Sequence, residues 1–211
     1  MALKDELERQ QGRWPPAAHA IYEDLVRRLG AAETAQRALK VGDKIPDFAL
    51  PNAEGKLIAS DELLARGPLV VNFFRGDWCP FCRMTLQALD RALPAITAAG
   101  GQLVALSPDT GGLLLRAKKK LKLSIDLLCD VDNGVALAFG VAFRAPDSYR
   151  KMVSSYGTDL GARHGNPGWI IPIPAAYVAD RDGIIRYAFV EPEFVRRPEP
   201  EDIIAVLKQL S

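Results

Sequence analysis

Apolar residues recur one helical turn apart at Leu3 and Leu7, and again at Ile21, Leu25 and Leu29, with polar positions between them. That spacing predicts two amphipathic helices in residues 1–40, broken at Pro15 and Pro16, with Gly30 ending or weakening the second. This N-terminal helical extension shows no chemistry of its own and is expected to pack on the main body of the chain or on another subunit. Beyond it the pattern shortens: "VGDKIPDFAL" is turn-rich and leads into short strands, then come "GKLIAS" and a capped short helix, "SDELLARG".

From residue 68 the order changes character. "PLVVNFF" (68–74) is apolar and β-prone enough for a central strand, the next twenty residues read as helix as far as "AAGG", and "QLVALS" (102–107) reads as the following strand. A strand, a helix and a strand in that order imply parallel pairing through a right-handed crossover. "DTGGLLLRAKKKLKL" then reads as helix, "IDLLCD" as strand, "NGVALAFGV" as a short helix and "APDSYRKMVSSYG" as another. "AAYVAD" and "GIIRYAFV" are the last strands, with Asp182-Gly183 expected to supply the positive-φ residues of a tight hairpin. "PEPEDIIAVLKQL" closes the chain as a helix with Pro and acidic residues at its start. The expected architecture is one α/β domain over residues 41–211, preceded by the extension at 1–40.

Charge adds little to this picture. With 27 basic and 26 acidic residues the net charge is +1, so no overall field draws in nucleic acid or an anionic membrane. The basic run at 116–123 lacks interleaved aromatic residues and reads as a solvated helix face. No stretch approaches the roughly 18 consecutive apolar residues of a membrane span, and the amino terminus has no apolar signal core, so a cytoplasmic protein is expected. Three cysteines are too few for a disulfide framework, and in a reducing compartment a close pair points to catalysis or metal.

The close pair is Cys79 and Cys82, in "RGDWCPFCRM" (75–84). C-x-x-C serves redox and zinc sites alike, and two inert buried thiols are a third reading. A structural zinc needs four ligands, whereas the rest of the chain offers Cys129, His19 and His164 at no paired spacing, so no metal or other cofactor is expected. Pro80 suits the first position of a helix, which makes Cys79 the expected N-cap and places Cys82 in the first turn. Unpaired N–H groups and the positive end of the helix dipole favour a thiolate at Cys79, in an exposed, electropositive position. Cys82, shielded, is expected to stay protonated until Cys79 is oxidised and then to attack it. Arg75 and Arg83 are expected to add positive potential and Asp77 to oppose it. Trp78 brackets the nucleophile. Cys129 reads as a strand cysteine filling core space, and His164 as a solvated loop histidine.

Strand, "WCPFC", long helix, strand and a later proline opening a hairpin resemble the thioredoxin fold: a central mixed β-sheet flanked by helices. By that resemblance Pro174 is the cis-proline facing the dithiol. "GDKIPDFAL" and "VALAFGV" further resemble the alkyl hydroperoxide reductase C and thiol-specific antioxidant family, the peroxiredoxins, over roughly residues 41–207. "F-x-R-G-x-W-C-P-x-C" (73–82) is similar to a branch in which the peroxidatic cysteine is also the first Cys of a thioredoxin-style pair. Where the family carries the Pro and Thr of P-x-x-x-T-x-x-C this chain has Asn72 and Gly76, and in place of the family's distal arginine it has Pro174. Arg75 is left as the nearby substitute.

The resemblance implies an antioxidant, thiol-dependent peroxidase. In it Cys79 attacks a hydroperoxide, Cys82 closes a redox-active disulfide, and a thioredoxin-like protein or small thiol reduces it; a homodimer is possible. The alternative is a thiol-disulfide oxidoreductase acting on protein disulfides. A third reading is a redox sensor whose amino-terminal helices bind a partner.

Overall fold

The computed structural model describes residues 2–110 and 112–210. At its centre lies β3 (Leu69–Phe73), whose five residues are all buried. It pairs in parallel with β4 (Gln102–Ser107), which pairs in parallel with β5 (Asp126–Cys129). On its other side β3 meets β8 (Ala175–Ala179) antiparallel, and β8 meets β9 (Ile185–Val190), giving the order β5-β4-β3-β8-β9. An interior strand is largely apolar on both faces, which is why β8 reads as an unbroken hydrophobic run and β3 as one interrupted only by the buried Asn72.

Helix α5 (Pro80–Ala98) is the crossover from β3 to β4. It is amphipathic and presses Phe81, Leu86, Leu89 and Ile96 into the core. Helix α10 (Pro200–Gln209) packs against α5, its first turn closed by a reciprocal capping box between Glu199 and Asp202. Helix α4 (Ser60–Arg66) follows the hairpin of β1 (Ala49–Pro51) and β2 (Leu57–Ala59), and α6 (Leu113–Leu121) precedes β5. The result is the thioredoxin-like arrangement of a mixed sheet with flanking helices.

The amino-terminal helices lie on this body. Helix α1 (Leu3–Gln11) packs Leu3 and Leu7 against α5, and its first N–H groups donate to the Glu199 carboxylate, from Leu3 at 2.9 Å and Lys4 at 2.8 Å. Helix α2 (Pro16–Ala31) runs one residue past Gly30 and meets α8 (Asp147–Ser155). A short α3 (Thr34–Arg37) completes the segment. After α7 (Gly134–Ala138), two elements that the hydrophobic pattern did not reveal, β6 (Ala142–Arg144) and β7 (Ile170–Pro172), pair with each other, and α9 (Leu160–His164) lies between them in sequence.

Two local expectations are corrected. In the β8–β9 turn only Gly183 takes a positive φ, +79°. The turn is closed instead by the Asp180 carboxylate, which accepts the N–H groups of Asp182 and Ile184, both at 3.0 Å. No peptide bond among the described residues is cis, so Pro174 is trans. The reason lies in its neighbours. Pro172 belongs to β7 and the Ile173 N–H donates to the Val141 carbonyl at 2.7 Å, so the chain passes extended from one sheet to the other.

Candidate active site

The strand-to-helix junction after β3 carries both sulfurs. Cys79 is the N-cap residue of α5, with φ −87° and ψ 117°, and Pro80 takes the first helical position, where its missing N–H costs nothing. Both cysteines are buried, each 1% exposed, so the expectation of an exposed Cys79 is corrected. Its surroundings are nonetheless electropositive. Arg75, also 1% exposed, donates from Nη2 to Cys79 Sγ at 2.9 Å and from Nη1 to the Tyr149 hydroxyl at 2.6 Å, while its backbone N–H donates to Cys82 Sγ at 3.5 Å. Its guanidinium carbon sits 3.8 Å from the centre of the Phe194 ring and 5.3 Å from that of Trp78. The caged guanidinium has almost no rotamer freedom to lose when it binds a charge.

Burial by itself would push the Cys79 thiol up. A hydrogen bond from the Cys82 thiol and the charges of Arg75 and Arg197 outweigh it, and Cys79 is held well below the ordinary thiol range. Cys82 moves the other way: burial raises it, and its bond to the negative Cys79 raises it further. The two thiols are thus split in acidity, Cys79 favouring the thiolate and Cys82 the protonated form.

Arg197 is the group that sequence reasoning missed. It lies in the stretch between β9 and α10, is 92% buried by its 8% exposure, and acts on both sulfurs through its charge. Arg83, expected to contribute, instead donates to the Asp77 carbonyl at 2.8 Å. Asp77 does not oppose the thiolate from nearby, because its carboxylate pairs with Arg163 of α9. Arg163 also grips Asp109, with Nε to Oδ1 at 2.9 Å, tying the Cys79 loop to the end of β4.

A cavity of about 370 Å³ opens above Cys79. Its walls come from the α1–α2 connection, from α8 through Tyr149, Met152 and Val153, from Tyr156 just after α8, and from Trp78, Phe81 and Phe194, with Arg75 beside Cys79. Two buried donors on the lining of this cavity, Arg75 Nε and the Tyr22 hydroxyl, have no protein partner among the described residues; a terminal nitrogen of Arg197, which does not line it, is also unpartnered. Buried donors are nearly always paired, so the two on the lining mark a place suited to an oxygen acceptor or oxyanion. Pro174, Trp169 and His164 do not line this cavity. Cys129 does not line it either, and its Sγ donates to the Asp109 carbonyl at 3.3 Å.

His164 is buried, not solvated, beside Asp109 at 3.8 Å. Burial, with the Arg163 charge adding to it, pushes its imidazole down to about 4. The unfolded chain protonates this histidine near 6.5, so between about 4 and 6.5 the unfolded state binds more protons and stability falls as pH falls. The contribution is complete above about 6.5 and amounts to roughly 3 kcal/mol at about 1.4 kcal/mol per unit. Asp109, which burial pushes up against the pull of Arg163, works in the opposite sense. Urea titrations of the parent and His164→Asn across this range isolate the histidine: the variant is expected to show the shallower acid loss.

Gly76 holds the loop at φ +123°, and a Cβ there would lie 2.5 Å from Asp109 Oδ2 and 2.6 Å from Trp78 Cδ1. Gly76→Ala is therefore expected to cost roughly 1–3 kcal/mol. It should also displace the Trp78 indole, whose N–H donates to the Arg75 carbonyl at 2.6 Å. Denaturant unfolding and tryptophan fluorescence measure the two effects.

Residues 41–188 match the family described as AhpC/TSA. The chloroplastic peroxiredoxin Q of Oryza sativa subsp. japonica is 26% identical over 148 residues, which are 70% of this chain and 58% of that protein. The thiol-disulfide oxidoreductase ResA of Bacillus anthracis is 23% identical over 145 residues, 69% of this chain and 66% of that one. Among solved structures, peroxidoxin BcpB from Mycobacterium tuberculosis superposes with a TM-score of 0.64 at 19% identity, covering 82% of this chain and 99% of its own, a likeness of fold. Since the family match covers the central sheet and the helix that carries both sulfurs, this chain belongs to the AhpC/TSA family, with Cys79 and Cys82 forming a thioredoxin-style pair within it.

Proposed function

We propose that the protein is a thiol-dependent peroxidase in which Cys79 is the peroxidatic thiolate and Cys82 resolves it. The observation that carries this reading is Arg75, which bonds the Cys79 sulfur with one nitrogen while its Nε remains available beside it. A hydroperoxide oxygen placed over the sulfur supplies the acceptor that this donor lacks. Cys79 thiolate attacks the terminal oxygen of RO–OH; an S–O bond forms, the O–O bond breaks, and alkoxide leaves. The Tyr149 hydroxyl accepts from Arg75, so its own hydrogen is available to the leaving oxygen. Burial, against the pull of Arg75, raises Tyr149 and keeps it a neutral donor. Cys82 then displaces the sulfenic hydroxyl as water, giving the Cys79–Cys82 disulfide, and two electrons from a thioredoxin-like protein or a small dithiol restore both thiols.

The second reading, a thiol-disulfide oxidoreductase, is favoured by the C-x-x-C pair and by the relatives named ResA. Against it stands the burial of Cys79, 1% exposed, among the side chains that line the cavity, where a protein disulfide would have to reach it. Hydroperoxide consumption with dithiothreitol or thioredoxin, run beside insulin reduction, separates them. Efficient peroxide turnover with weak insulin reduction is expected, and the reverse outcome would assign the second activity.

A further inference from the structure

The family match begins at residue 41, yet the cavity over Cys79 is completed by residues before it: Arg13, Trp14, Pro15, Ala18 and Tyr22. Trp14 stands edge to face with Phe81 of α5, ring centres 5.2 Å apart, and with Tyr22 at 5.3 Å. Tyr22 in turn meets Phe194 at 4.9 Å, the ring that lies against the Arg75 guanidinium. Contacts of this kind fix ring positions, so the wall is shaped before any ligand arrives. The segment is anchored at both ends of its reach. Leu25 and Leu29 are buried in the core, and at the other end the Glu199 carboxylate clasps the first N–H groups of α1.

The half-open space that these residues line is far larger than the smallest peroxide needs. A single water needs only about 10–15 Å³ of such space, against about 370 Å³ here. Hydrogen peroxide would touch only the floor. The walls above are mainly aromatic and aliphatic, with Gln10, Arg13 and Thr158 as their polar members, and no carboxylate lines them. Such a surface gains more from an apolar body than from a small polar one.

We propose that residues 13–22 are the substrate-selecting wall of the site, fitting it to hydroperoxides with a compact apolar body such as an aromatic or branched alkyl group. This inference rests on the peroxidase reading for its chemistry. The body seats against Trp14, Tyr22 and Met152 and presents its terminal oxygen to Cys79; the thiolate becomes sulfenic acid, and the alcohol of the same body leaves with a proton. Glu199 is a positioning residue: it touches no substrate and acts by holding α1, and through α1 the wall.

The test uses the full chain with cumene hydroperoxide and hydrogen peroxide, and reads the ratio of their kcat/KM values in the parent, Trp14→Ala and Glu199→Ala. The parent is expected to favour the cumyl substrate at least about tenfold, and both variants to lower that ratio about fivefold or more, chiefly through KM. A parent ratio near or below one, or variants that slow both peroxides alike, would overturn the inference. A second arm is independent of turnover: 2-phenyl-2-propanol, the alcohol product, should protect Cys79 from iodoacetamide in the parent and less well in Trp14→Ala. Absence of protection in the parent overturns the wall. Protection that depends on Trp14 while neither peroxide is consumed overturns the peroxidase reading alone and supports the wall as the recognition surface for an apolar ligand.

Discussion

Cys79→Ser is expected to bring thiol-dependent peroxide turnover to background, a loss of at least about a thousandfold, because a serine hydroxyl is not ionised at neutral pH and is a poor nucleophile towards an O–O bond. Cys82→Ser should separate the two half-reactions. Its first oxidation stays fast, since the Arg75 contact to Cys79 is untouched, but no internal disulfide can form. Cys79 then accumulates as sulfenic acid, detectable by dimedone labelling and mass spectrometry, and is prone to further oxidation. Steady-state turnover with a protein reductant should fall about tenfold to a hundredfold, with partial recovery when a small thiol takes over the resolving role. If instead Cys82→Ser formed stable mixed disulfides with protein substrates and showed no sulfenic acid after a peroxide pulse, the oxidoreductase reading would replace the peroxidase one. Unchanged peroxide turnover in Cys79→Ser would dismiss the peroxidase reading, and unchanged insulin reduction in the same variant would dismiss the other.

Arg75→Met is expected to produce the next largest effect. The substitution removes the donor at 2.9 Å from Cys79 Sγ and the nearest positive charge together, while keeping most of the side-chain volume between Trp78 and Phe194. Loss of one such preorganised donor typically lowers rate by about 10² to 10³. Its signature is in the pH dependence. Alkylation of Cys79 follows the thiolate fraction, so the midpoint of its pH profile should move upward in Arg75→Met. Arg75→Lys, which keeps the charge but not the two-armed contact to Cys79 and Tyr149, should recover only part of the shift.

Stability of the reduced protein reports the same split between the thiols. Cys79 is lowered on folding, so its contribution is present above the ordinary thiol pKa of about 8.5 and is lost as pH falls through the lower, folded value. Cys82 is raised, so above about 8.5 the unfolded chain releases its proton while the folded one keeps it, and stability declines with further rise in pH. The stability contribution of the pair is therefore greatest near the ordinary thiol pKa. In Arg75→Met the rising limb should shrink.

Much of this site is written locally. A buried β-run, a cysteine, a proline and a second cysteine three residues on allow few conformations, because Pro80 suits the first turn of a helix and the N-cap follows from it. Arg75, only four residues before Cys79, shares that local frame. Helices α1 and α2 were equally legible, from Leu3, Leu7, Leu25 and Leu29. What their spacing does not contain is a destination. Periodicity shows that a face is apolar, not which surface it meets, and the passage of the α1–α2 connection over the thiol cavity depends on α5, α8 and the Glu199 clasp.

The remaining differences have one physical origin. Arg197 and Phe194 lie over a hundred residues along the chain from Cys79, in a stretch with no periodic pattern, and reach the site only because β9 pairs with β8 and α10 packs on α5. His164 looked like a loop residue until α9 carried it in beside Asp109, and Pro174 is held trans and extended by the β7-to-β8 passage. The sequence by itself determined the sheet, the long helix and the placement of two sulfurs at its head, since those depend on neighbours within a turn or a strand. Tertiary structure alone decided which charges and which aromatic walls surround the sulfurs. Electrostatic fields and packing act through space, and the groups that exert them here come from distant parts of the chain.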